Sequence, residues 1–126
     1  MTPRDPSNPK DRPMTTCNVH RTFGAAYVVT VPCFDNGDAD IDDLCRADLA
    51  IALAALESGD VTGASFNFAR RALALTRDAL AVHLETSVAV IEAMERDQWL
   101  IAPAYVGRLL DLLRASDRSG FVARRA

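Results

Sequence analysis

A chain of 126 residues with 49% hydrophobic and 25% charged side chains has the composition of one folded domain and excludes a wholly disordered chain. Its formal net charge of −3 argues against the basic surface by which nucleic-acid binders neutralise phosphates. No apolar run approaches the roughly 18–20 residues of a membrane span, and no apolar leader precedes the folded part.

Five Phe, two Tyr and one Trp leave the core mainly to Leu, Val, Ile and Ala, which favours helices. The basic residues are thirteen Arg and one Lys, Lys10, a bias read as codon usage in a GC-rich genome. Cys17, Cys33 and Cys45 are odd in number and widely spaced, which does not suggest a disulfide-stapled secreted protein. A reducing cytoplasm is the expected location.

In chain order, residues 1–16 are read as a disordered Pro-rich tail, with Met14 as an alternative start of translation. β-branched and aromatic residues then predict a strand over about Ala26 to Val31, with Val19 to Phe23 as a candidate shorter strand before it and Gly24 in the turn. "FDNGDADIDD", residues 34–43, carries five aspartates. It fails the spacing of an EF-hand loop in either register and reads instead as a turn followed by a helix start. Asp40 is the expected N-cap, and Asp42 and Asp43 face the positive end of the helix dipole.

Apolar residues at 41, 44, 45, 49, 52, 53 and 56 follow one helical face, and Gly59 supplies a stop. Little polar surface remains on the later turns of this helix, so it is expected to be central. From about residue 64 to residue 99 there is neither Pro nor Gly. Phe66, Ala69, Leu73, Thr76, Leu80, His83, Ser87, Val90 and Met94 repeat at alternating steps of three and four, a heptad seam. Thr76, His83 and Ser87 read as polar register devices within it. Such a helix either breaks near residues 83–87 or projects into a dimer, whose seam would use Phe66, Leu73, Leu80, His83, Val90 and Met94. Pro103 opens a last amphipathic helix to about Ala115, and residues 119–126 read as a frayed basic end.

Little in the chain carries chemistry. Cys17, His20, Cys33 and Cys45 have the types but not the spacing of a zinc site. His83 has no recognisable nucleophile elbow to serve, and there is no glycine-rich phosphate loop. Residues 52–71 have the helix, glycine turn, helix order of a DNA-binding motif, but the candidate recognition helix has no base before Arg70.

The expected fold is therefore mainly α: three to four helices in a small bundle over residues 17–118, with a short N-terminal strand or hairpin. The expected function is a small non-enzymatic regulator, adaptor or inhibitor of bacterial or mobile-element type, without cofactor or metal. It would bind another protein, as a homodimer, through Asp35, Asp38, Asp40 and Asp42 and through Arg70, Arg71 and Arg77. A DNA-binding regulator using residues 52–71 is the alternative, and a metalloprotein or enzyme comes last.

Overall fold

The computed structural model describes residues 15–34 and 36–126; the Pro-rich segment before Thr15 and the acidic candidate Asp35 lie outside these. Two strands come first, β1 (Thr15–Thr22) and β2 (Ala26–Cys33), followed by α1 (Ile41–Glu57), α2 (Gly63–Ala72), α3 (Arg77–Leu84), α4 (Val88–Glu95), α5 (Pro103–Ser116) and β3 (Ala123–Arg125). The strands form one antiparallel sheet in the order β1-β2-β3. The mainly α, all-α bundle expected from the sequence is thus corrected to an α+β fold, with five helices and a three-stranded sheet among the described residues.

The third strand comes from the segment read as a fraying end. Ala123 pairs with Val29 and Arg125 with Tyr27, which makes β2 the central strand. One face of the sheet carries Val19, Tyr27, Val29, Val31 and Cys33, all buried. The opposite face carries Thr16, Asn18, His20, Thr22 and Thr30 in solvent, with Val28 its one buried residue among those described, close to the alternation of an antiparallel sheet covered on one side. Cys17 and Cys33 are joined as a disulfide across β1 and β2, with Cα atoms 5.9 Å apart.

α1 covers the sheet. Asp40 caps it as the sequence requires, its carboxylate accepting from the Asp42 amide at 2.9 Å. The apolar face expected at 41, 44, 45, 49, 52, 53 and 56 is only partly the buried one: Ile41 is 74% exposed and Cys45 is also exposed. Ala47, Ile51 and Ala55, at successive steps of four, pack on the sheet in one cluster with Val19, Tyr27, Val29 and Val31. Ala52 and Leu56 face a second cluster with Phe66, Leu80, Leu84, Ile91, Met94, Leu109 and Leu113 from α2–α5. The helix is buried from two sides, and full burial of a side chain such as Ile51 contributes about 2 kcal/mol.

The long helix expected over residues 64–99 is three short ones. Thr76 and Ser87, read as seam residues, are N-caps, accepting from Ala79 N at 3.1 Å and from Val90 N at 3.3 Å. Each break is closed by a left-handed residue that is not glycine: Ala74 (φ 56), Glu85 (φ 55) and Asp97 (φ 57). The hydrogen bonds there are those of the Schellman motif. Leu75, Thr86 and Gln98 amides reach back to Arg70, Ala81 and Ala93 carbonyls, as Asp60 does to Ala55 after Gly59. Phe66, Leu80 and Met94 are consequently buried in the helical cluster of their own chain. Leu73 and Val90 pack partly against that cluster, and His83 is exposed. No helix of the described residues is long and apolar enough to cross a membrane.

α2 starts where α4 ends. A Cβ at Gly63 would lie 2.5 Å from the Glu95 carbonyl oxygen and 2.8 Å from both the Met94 carbonyl oxygen and Asp97 Oδ1. Two of these are backbone atoms that move only with their helix. Gly63→Ala is expected to destabilise the protein by about 2 kcal/mol, against the gain that alanine brings to an open helix position. Urea denaturation checks this; an unchanged or raised midpoint would show that α2 and α4 are not in this contact.

Candidate functional site: a cleft over the second helix

α2 turns Ala64, Asn67, Phe68, Arg71 and Ala72, spaced as one helical face, toward an opening in the surface, with Ala64 and Arg71 exposed and the other three half-buried. This stripe is the floor of an open cleft of about 740 Å³. Arg21, Thr22 and Phe23, at the β1–β2 turn, form one wall together with Asp48 of α1; Glu95 and Asp97, at the end of α4, form the other.

The turn is positioned by aromatic stacking. Phe23 lies between Phe68 (centroids 4.7 Å apart) and Tyr27 (5.8 Å), so the hairpin end is fixed to both α2 and the sheet. Gly24, with φ 105, supplies the backbone reversal behind it. Arg21 Nε donates to Asp48 Oδ1 at 2.9 Å, joining the wall to α1. On the far side of the sheet's end, Asp60 accepts from the Tyr27 hydroxyl and from Arg125 Nη2 at 2.7 Å. The Tyr27 hydrogen bond, followed by that of Arg125, holds the Asp60 carboxyl below its ordinary range.

Glu95 is the most heavily bonded group of the site. Its carboxylate accepts from Arg70 Nε at 2.6 Å, Asn67 Nδ2 at 3.0 Å and Arg77 Nε at 3.0 Å, with its side chain only 4% exposed. One anion therefore holds α2, the first residue of α3 and the end of α4. Arg70 also donates to the Leu75 carbonyl at 3.0 Å, filling an acceptor beyond the end of α2. Burial alone would raise the Glu95 pKa, but the hydrogen bonds from Arg70, Asn67 and Arg77 outweigh it and keep the group below its usual value. Two residues on, Asp97 Oδ1 accepts from the Gly63 amide at 2.7 Å and so caps the start of α2 from the turn that follows α4.

The residues expected to bind a partner are not gathered into one surface. Arg70 (12% exposed) and Arg77 are engaged with Glu95. Arg71 alone among the three makes no ion pair among the described residues, and it opens into the cleft. Asp38 is exposed in the turn and makes only local contacts, its amide donating to Asn36 Oδ1 at 3.0 Å and its carboxylate accepting from Asn36 Nδ2 at 3.1 Å. Asp40 is occupied as a cap and Asp42 is exposed beside it. Of the metal-type residues, Cys17 is paired with Cys33, His20 points to the opposite face of β1, and Cys45 is exposed on α1. Among the described residues, no three His, Cys, Asp or Glu side chains come together as a metal set.

Phe23, Phe68, Glu95 and Asp97 were not singled out as site residues from sequence. Their roles depend on where α2 and α4 end, and neither terminus carries a glycine or proline to mark it. No family model matches the chain, and neither a curated protein nor a solved structure is similar to it.

Replacing Glu95 by Ala leaves Arg70 with no anion in a poorly hydrated site, and a loss of about 3 kcal/mol is expected. The pH dependence has a definite sign. Because the folded-state pKa lies below the unfolded one (4.5), the carboxylate's contribution is complete above that value and is lost as pH falls through the folded pKa. Denaturant midpoints measured from neutral to acid pH should fall more steeply for the native protein than for Glu95→Gln; parallel curves would remove Glu95 from the account.

Proposed function

We propose that this protein is a small non-enzymatic regulator or adaptor that works in the cytoplasm by binding another protein, with the α2 cleft and the adjoining α4–α5 loop as its contact surface. The observation that carries the reading is the tandem Trp99–Leu100, which is left 60% and 97% exposed two residues after cleft-lining Asp97. A lone exposed leucine is ordinary, but tryptophan is enriched among the residues that dominate protein–protein binding, and here it adjoins a second large apolar side chain. The cleft adds a rim of charge around a Phe68 floor, the polar border with an apolar centre that protein contacts use.

DNA binding has less support. The segment at 52–71 does form helix, turn and helix, but its turn is held against the sheet through Asp60, and Arg70 is inside the fold. Self-association through the heptad seam also loses its basis, since Phe66, Leu80 and Met94 are used internally.

The test is recovery of a stoichiometric partner from a lysate of the native host by the tagged chain, with Trp99→Ala/Leu100→Ser and Arg71→Glu as variants. Both variants change exposed side chains, so unchanged circular dichroism and thermal midpoint are expected. The reading expects the first variant to weaken capture at least tenfold. Equal capture by it would overturn the assignment of this surface, and no partner under any condition would overturn the function.

A further inference from the structure

The Cys17–Cys33 pair is built differently on its two sides. Cys17 is half-buried and lines a shallow second pocket of about 470 Å³ with Gly37, Asp38 and Leu44, whereas Cys33 is 2% exposed beneath the sheet. Each sulfur also has a polar partner in place that does not require the bond. Thr15 Oγ1 lies 3.3 Å from Cys33 Sγ, and the Gly37 carbonyl oxygen lies 3.9 Å from Cys17 Sγ. The reduced thiols would both be hydrogen-bonded without backbone movement, and the 5.9 Å Cα separation lies within the range in which the bond also forms without movement. The same backbone therefore accommodates both oxidation states. Its location gives the bond something to control, because β1 is an edge strand whose one sheet neighbour is β2.

We propose that Cys17 and Cys33 are a reversible thiol–disulfide site, entered at Cys17 by a low-molecular-weight disulfide of the glutathione class, which staples the edge strand β1 to the central strand when oxidised. In the forward direction the Cys17 thiolate attacks one sulfur of the small disulfide. A mixed disulfide forms on Cys17, one small thiolate leaves, and the Cys17 proton passes to solvent. The Cys33 thiolate then attacks Cys17 Sγ, closing the protein disulfide and releasing the second small thiolate, while the Cys33 proton also passes to solvent. Two protein thiols are oxidised and one small disulfide is reduced to two thiols. Cys45, exposed on α1, is not joined to another cysteine among the described residues, so glutathione can cap it without closing a protein disulfide there.

The test equilibrates the full chain in mixtures of reduced and oxidised glutathione, quenches with alkylating reagent and maps the modified cysteines by mass spectrometry. In the native chain Cys17 and Cys33 should lose alkylation together, joined to each other and carrying no glutathione, as the oxidised fraction rises, and regain it when the ratio is reversed, whether or not exposed Cys45 takes up glutathione. Cys33→Ser and Cys33→Ala should each accumulate glutathione on Cys17, while Cys17→Ser should carry at least tenfold less on Cys33; the two replacements at Cys33 guard against a loss of folding in one of them. Native protein that keeps the Cys17 and Cys33 thiols in excess oxidised glutathione, that stays bonded in excess reduced glutathione, or whose Cys17→Ser variant is modified at Cys33 as readily as the Cys33 variants are at Cys17, would overturn the proposal.

Discussion

α1 is apolar over most of its circumference, so no single neighbour can cover it, and its alanines allow two layers to approach from different sides. Ala47, Ile51 and Ala55 meet the sheet while Ala52 and Leu56 meet the helical cluster. Everything else in the fold follows from satisfying both contacts. The sheet needs three strands to present a wide enough face, which recruits the C-terminal β3 to β2. The helical side is assembled from α5 and three short helices, because one long helix in place of α2 to α4 would touch α1 at a single crossing and leave most of its own apolar surface exposed.

Short helices bring their own cost: each adds unpaired amides at its start and unpaired carbonyls at its end. The protein meets this locally at Asp40, Thr62, Thr76 and Ser87, whose side chains cap α1 to α4. It also meets it across the fold, where Asp97 accepts from the first residue of α2 and Arg70 donates beyond its last. Glu95 joins these ends. The candidate cleft is a by-product of the same arrangement, because α2 is fixed at both ends and along one side, which leaves its face from Ala64 to Ala72 only partly covered.

The parts of this that are legible in the sequence are those with a local chemical mark. Asp40 before Ile41, Gly59 after Glu57 and Pro103 at the start of α5 each announce a boundary through side-chain or backbone chemistry. The hairpin was visible as β-branched runs around Gly24. The breaks at Ala74, Glu85 and Asp97 were not, because these residues take up the left-handed conformation at an intrinsic cost of roughly 1 kcal/mol or more each, which only tertiary contacts offset. Three helices whose lengths and connections preserve steps of three and four imitate one heptad, and Thr76 and Ser87 then look like seam residues instead of caps. β3 was hidden for a related reason: a three-residue strand with two arginines has no periodicity, and its place is set by Asp60 and Tyr27, more than sixty positions away for Asp60. The cleft inherits this, since Arg71 could be named from sequence only as one of several bases, whereas its freedom depends on Glu95 engaging Arg70 and Arg77.

α1 lies between two cores of one chain, and every other contact in the fold depends on that placement. Methyl-resolved NOE spectra of the protein at a mass verified as monomeric test that directly. Ile51 should show cross-peaks to Val19, Val29 and Val31, and Leu56 to methyl groups of the helical cluster such as Ala69, Leu109 and Leu113, with the two sets distinct. If Ile51 and Leu56 instead reported on one shared set of neighbours, or if residues 72–77 gave the unbroken sequential amide contacts of a continuous helix, the two-sided packing of α1 would be contradicted.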